Sequence, residues 1–233
     1  MPEPKPFAVA PREAIDFLKQ KMRVPTAHWT DVWEKMHSRA FMVAGAQSED
    51  LLKDFHEAVT KAIETGGTLG QFREDFDRIV AEHGWSYNGS RGWRSRIIFQ
   101  TNLRMAYAAG RWQQIQRVKE QRPYLRYVHV DPELNDKNSR PEHAAWHNTV
   151  LPVDDPFWDT HFPPNDWECR CTVQSLNERD LERYGLEVSD RAPVSELVER
   201  VIKTRDGDKK TVQVPKGIGP GFAYRPGAMP DLE

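Results

Sequence analysis

Through the first half of the chain, apolar residues recur at three- and four-residue intervals, and helix-capping residues sit at the breaks between the runs. Phe17 and Leu18 follow Pro11, which predicts a short helix after that proline. Trp33, Met36, Ala40 and Val43 keep helical spacing behind Thr30 and predict another. Leu52, Phe55, Val59 and Ile63 repeat the pattern between Ser48 and the stop at Gly66-Gly67, and Leu69, Phe72, Phe76 and Ile79 repeat it between Thr68 and Gly84. The longest predicted helix opens at Asn88-Gly89-Ser90, runs from Arg91 to about Gln121, and ends before Pro123. On it, Phe99, Leu103, Ala106 and Gly110 share a stripe. The small residues Ala106, Ala108, Ala109 and Gly110 would let another element approach closely. No fixed repeat length appears, so packed helix pairs are expected rather than a solenoid.

The pattern changes after Pro123. Tyr124, Tyr127, Val128 and Val130 predict a strand, Arg140 to Asn148 a short helix with Pro141 in its first turn, and Cys169 to Ser175 a second strand. The intervening stretch from Leu151 to Glu168 is too rich in Pro and Asp for regular structure. Asn177 caps a helix reaching Tyr184, and Val194 to Ile202 reads as a further helix. Asp206-Gly207 marks a turn before Thr211–Val214, whose Val212 and Val214 share a strand face. From Pro215 the chain is Gly- and Pro-rich and reads as an extended arm with no core of its own. The fold class is therefore α+β and predominantly helical: N-terminal helices and one long helix packed with a small β-containing Cys/His lobe and an extended C-terminal arm. The expected boundaries are 1–122 for the helical region, 123–188 for the lobe and 189–233 for a hairpin and arm.

Composition narrows the class. The chain has 233 residues, 29% of them charged, and a mean hydropathy of -0.75, with no apolar run long enough to cross a membrane. Its start lacks the apolar segment of a signal peptide, and its two cysteines make no disulfide framework, so a reducing cytoplasm is the expected setting. A net charge of -2 gives no global signature of a nucleic-acid binder. Locally, however, Ser90 to Arg126 holds nine Lys/Arg against one acid, Glu120. Such a segment is either a solvated face paired with acidic helices or a surface toward DNA or an acidic partner, with Arg94, Arg104, Arg111 and Arg117 as the contact candidates.

The chemistry concentrates in one block. The only two cysteines form Cys169-Arg170-Cys171, behind Asp131, Arg140, His143 and His147. On a strand, Cys169 and Cys171 would face one way; on a helix, His143 and His147 would share a face. Together they make a tetrahedral zinc set, with His161 as an alternative ligand. The same residues could instead be two small buried thiols with His143 hydrogen-bonded in a core. A disulfide at i and i+2 would be strained. Arg140 and Asp131 would pair to fix the loop, above a core of Trp146, Phe157, Trp158, Phe162 and Trp167. A catalytic reading needs either Cys169 activated beside Arg170 and a histidine, or an open zinc site with Glu142 as base, giving a zinc-dependent hydrolase or nuclease. No GxGxxG, P-loop, GxSxG or HExxH pattern supports it, so no catalytic or cofactor-binding residue is assigned, and the chain is expected not to be an enzyme.

Three stretches carry a resemblance. Gln100 to Arg111 resembles the long helix of the phage Mu F-like family of head morphogenesis, or minor head, proteins. The ordered set Asp131, Arg140, His143, Pro152, Phe157-Trp158, Pro163-Pro164 and Cys169-Arg170-Cys171 resembles that family's second signature, and Gly219 to Gly227 resembles its C-terminal arm. Asn148 departs from the glycine often found there, which bears on the local turn. The resemblance implies a minor capsid protein of a tailed phage or prophage, present in the virion and, during assembly, in the bacterial host cytoplasm. Its implied partners are the portal protein and other head components, with a role in head assembly and influence on DNA packaging or ejection. Non-specific DNA contact is compatible with it; a membrane partner is not.

Overall fold

The computed structural model describes residues 11–130 and 140–228. Asp131, and with it the expected Asp131–Arg140 pair, lies outside the described residues. The chain opens with α1 (Arg12–Lys19), then β1 (Met22–Arg23), which pairs in parallel with β2 (Ala40–Phe41). The helix expected behind Thr30 does not form. Two 3-10 turns, Trp29–Asp31 and Glu34–Ser38, take its place. The Asp31 carboxylate accepts the backbone N–H groups of Ala27 and His28 and turns the chain. The apolar spacing was not one helix face: Ala40 and Val43 are buried, whereas Met36 is 54% exposed.

Three helices follow, α2 (Glu49–Thr65), α3 (Leu69–His83) and α4 (Arg91–Val118). Their ends follow the caps in the sequence. Gly66 and Gly84 adopt the left-handed conformation that stops α2 and α3, and Thr68 with Gln71 forms a reciprocal capping box at the start of α3. The first core lies among α1 to α4 and includes Leu18, Phe41, Phe55, Phe72, Phe76 and Ala106. The small residues of α4 receive α1: a Cβ on Gly110 would lie 2.8 Å from the backbone nitrogen of Ala14.

The opposite side of α4 closes a second core. Here β3 (Tyr124–Val128) is the centre of a three-stranded antiparallel sheet, flanked by β4 (Val150–Pro152) and β5 (Thr172–Leu176). Between these strands lie α5 (Pro141–Ala145) and α6 (Phe157–His161), and α7 (Glu178–Tyr184) follows the sheet. The Pro- and Asp-rich stretch thus carries a short strand and a short helix, held in part by the Trp158 indole donating to the Pro152 carbonyl at 2.9 Å. Met105 and Ile115 of α4 join Leu125, Tyr127, Trp158 and Phe162 in this core, so one helix braces both cores. The result is an α+β, predominantly helical fold.

The stretch read as a helix near residues 194–202 is instead β6 (Leu197–Lys203), a hairpin partner of β7 (Lys209–Pro215). Val198, Val201 and Ile202 favour an extended chain, and the turn at Gly207, with φ of 86°, returns the strand. The tail after Pro215 is irregular, but the expectation that it has no core to enter is wrong. Ile218, Phe222 and Tyr224 are all buried within the second core. Three apolar side chains among glycines and prolines have no periodicity by which a buried segment could be recognised.

Candidate metal centre

Pro141 opens α5, and the helix places His143 with no exposed surface, its ring stacked on Trp146 at 5.1 Å. His143 Nε2 lies 2.7 Å from the Gly217 carbonyl oxygen. A carbonyl can only accept, so Nε2 carries the hydrogen, and in the neutral ring Nδ1 holds the lone pair. That lone pair faces Cys169 Sγ at 3.7 Å and Cys171 Sγ at 3.5 Å. The tail thereby selects the ring tautomer that a metal requires.

The cysteines lie in the bend before β5 rather than on the strand, since β5 begins at Thr172. Glu168, at a φ of 58°, and the bond from the Cys169 N–H to the Asp166 carbonyl shape this bend. Arg140 donates to the Trp167 carbonyl at 2.6 Å and so holds the same loop. Both thiols are free; Cys169 is buried and Cys171 half-buried. Their acidities diverge. The Cys169 thiol is pushed up to about 12 by its hydrogen bond to Cys171 and by burial. Cys171 is pulled down to about 6 by the hydrogen bond from Cys169 against the effect of burial, with help from Tyr127, the Val130 backbone and Arg140. The hydrogen bond between the sulfurs thus favours ionisation of Cys171 over Cys169, and a dication would displace the protons of both.

The ligand atoms of His143, Cys169 and Cys171 all lie within 4.8 Å of one another. A tetrahedral zinc with Zn–S near 2.3 Å and Zn–N near 2.05 Å sets N···S edges of roughly 3.5 Å. The two observed N···S separations, 3.5 and 3.7 Å, match it.

His147 and His161 do not join this group. Because α5 stops at Ala145, His147 lies past the helix and loses the shared face assumed for positions i and i+4; its Nδ1 accepts the His129 backbone N–H at 3.1 Å. His161 is a core residue, stacked on Phe157 at 4.2 Å and beside the Thr160 hydroxyl at 2.8 Å, and burial lowers its pKa to about 4. The residue that does approach is His129, whose Nδ1 lies 3.3 Å from Cys171 Sγ. Strand register contains that signal: Val128 pairs with Thr172, so the next residue along β3 lies opposite Cys171.

The remaining singled-out residues disperse. Trp158 is buried core, and Arg170 is exposed with no hydrogen bond or ion pair among the described residues. Of the arginines on α4, Arg94 is buried and donates to the Ala44 carbonyl, Arg104 donates to the Cys169 carbonyl at 2.8 Å, and Arg117 pairs with Glu13 at 2.6 Å. Arg91 and Arg96 pair with Asp77 and Glu168. The basic helix is thus not one exposed stripe. Arg111, which has no hydrogen bond or ion pair among the described residues, shares a cavity of about 470 Å³ with Arg104 and Arg170, next to both cysteines, and no carboxylate lines it among the described residues. At Asn148 the φ is 67°, a conformation that suits glycine, and the side chain compensates by accepting from Arg126 Nε at 2.8 Å.

Helices α3 and α4 and the His143, Cys169 and Cys171 group lie within a stretch that matches a known family. Residues 53–174 match the model of the Phage Mu protein F like protein family, and the chain belongs to that family. It is 35% identical over 204 residues to the "Putative capsid assembly protein F" of Escherichia phage Mu, covering 77% of this chain and 43% of that protein. It is 34% identical over 224 residues to the "Mu-like prophage FluMu F protein" of Haemophilus influenzae, covering 87% of this chain and 53% of the relative. The chain thus spans about half the length of these relatives. No solved structure matches it.

Proposed function

We propose that this chain acts in the assembly of a phage head as a minor capsid component, and that its His/Cys group is a structural zinc staple rather than a catalytic centre. The family match, with a relative named for capsid assembly, carries the first part. The tautomer that Gly217 imposes on His143 carries the second. In this reading His143, Cys169 and Cys171 hold the ion, and His129 takes the fourth position in place of His147 or His161. The zinc, when bound, ties α5, the bend before β5 and the end of β3 together and supplies folding energy there.

The protein works in the virion and, before that, in the host cytoplasm, in contact with the portal and neighbouring head proteins. No helix among the described residues is long and apolar enough to cross a membrane. DNA contact, with influence on packaging or ejection, falls to Arg104, Arg111 and Arg170 around their acid-free cavity. Such contact would be independent of sequence and would weaken steeply with salt. The assembly role is tested by deleting the gene from an inducible prophage and crosslinking the restored, tagged chain in purified heads. Incorporation with crosslinks to the portal supports the reading; normal heads without the protein contradict it.

One observation favours a second reading, metal-dependent phosphodiester hydrolysis: the arginine-lined cavity adjoins both cysteines. If His129 does not ligate, the ion would keep an open position toward that cavity. DNA cleavage by the zinc-loaded protein, lost in His143→Ala with folding intact, would establish this alternative.

A further inference from the structure

Away from the His/Cys group, a groove of about 440 Å³ runs between α4, the loops around β2, and the C-terminal tail. Its walls are aromatic: Trp29, Trp93, Trp167 and Phe222 line it, with Trp167 set edge-on to both Trp29 and Phe222. Trp93 and Trp167 remain 42% and 36% exposed. Large, partly exposed tryptophans at the mouth of a groove are the side chains that anchor protein partners.

Two cations are buried in the same lining. Lys21 and Arg94 are each only 8% exposed, and both face the groove. Neither has a carboxylate partner among the described residues. Lys21 donates to the His37 carbonyl at 2.7 Å and lies over the Phe17 ring, and Arg94 donates to the Ala44 carbonyl and lies over Trp85, while its Nε has no hydrogen-bond partner among the described residues. The acid in the described lining, Glu168, is engaged by Arg96 at 2.8 Å. A buried cation without a counter-charge carries a large desolvation cost, which an incoming anion relieves. Consistent with this, burial is what lowers the pKa of both groups.

From the pairing of aromatic walls with two buried cations that have no carboxylate partner among the described residues, we infer that this groove docks a segment of a partner protein that presents a carboxylate flanked by bulky apolar side chains. The apolar side chains would lie on the tryptophans and Phe222, and the carboxylate would reach Arg94 and Lys21. The inference deepens the head-assembly reading, and its partner would be another head protein.

The test uses the purified chain and two capped peptides, acetyl-Phe-Asp-Phe-amide and acetyl-Phe-Asn-Phe-amide, followed by the indole N–H resonances of Trp93 and Trp167. The Asp peptide should shift both resonances saturably and bind at least ten-fold more tightly than the Asn peptide. Arg94→Gln or Lys21→Met should abolish that preference, and Trp93→Ala, at the exposed rim, should weaken both peptides. Equal binding of the two peptides, or no shift at millimolar concentration, overturns the inference. So does a preference that survives both cation substitutions. Incorporation of Trp93→Ala into heads separates the two levels. If the peptides bind as described but the variant incorporates normally, the groove does not serve assembly; a failed peptide test leaves the assembly reading to its own experiment.

Discussion

His143 and Gly217, distant in sequence, share a hydrogen bond of 2.7 Å from the imidazole Nε2 to the glycine carbonyl. This bond sets the lone pair of Nδ1 toward the two cysteine sulfurs, so the tail beyond β7 is a working part of the His/Cys lobe. Gly217 has a φ of 88°, and a Cβ there would lie 2.6 Å from Glu142 Cβ and 2.8 Å from the Trp146 ring. Gly217→Ala should therefore destabilise by about 2–4 kcal/mol, from backbone strain and collision together. Chemical denaturation of the variant and the parent measures it; a change under about 0.5 kcal/mol would remove the tail from the site.

Truncation gives the complementary test. Ending the chain at Pro215 removes Ile218, Phe222 and Tyr224 from the second core. Burial of that much apolar surface contributes more than about 4 kcal/mol, so the shortened chain should melt far earlier or fail to fold. A truncated protein with an unchanged melting temperature would restore the free-arm picture that the Gly/Pro composition suggested.

The contact between α1 and α4 depends on a missing side chain. A Cβ on Gly110 would approach the Ala14 backbone nitrogen to 2.8 Å, where the backbone has little room to yield. Gly110→Ala should cost about 1–3 kcal/mol despite the better helix propensity of alanine. A stabilised variant in the same unfolding experiment would mean that α1 shifts freely.

Acid should destabilise the fold through two histidines that desolvation holds neutral, the half-buried His37 and the buried His161. Burial lowers the pKa of both His37 and His161 from 6.5 to about 4. Between these values the unfolded chain binds protons that the folded chain does not, so stability falls as pH drops from about 6.5 to 4. Each ring contributes on the order of 2–3 kcal/mol to that loss. His37→Gln should flatten the acid limb of the melting temperature against pH, and an unchanged limb would show that His37 charges in the folded protein.

The readable parts of the fold were those set by local rules. Thr68, Gly66, Gly84 and Ser90 mark ends of α2, α3 and α4 because capping is chemistry between near neighbours, and Ser48 stands at the start of α2 without a side-chain cap bond. The turns replacing a helix behind Thr30 were not readable, because Ala40 and Phe41 are held by pairing with distant Met22 and Arg23. The site divides the same way. The convergence of Cys169, Cys171 and His143 could be anticipated from spacing, whereas the approach of His129 to Cys171 required the register of β3 on β5. Arg94 looked like one more surface cation in a basic helix, and only the packed structure reveals that it is buried beside the tryptophan-lined groove.

The structural zinc is tested most directly by metal content and thermal stability measured on the same sample. Native mass spectrometry of protein purified without added metal or chelator should show one zinc per chain. A strong chelator should then lower the melting temperature, because the binding energy of a structural ion is folding energy. His129→Ala should weaken retention and Cys171→Ser should abolish it, since Cys171 lies beside His143 and His129 approaches Cys171. A metal-free protein that melts at the same temperature with and without chelator would contradict the staple, leaving Cys169, Cys171 and His143 as a hydrogen-bonded core cluster.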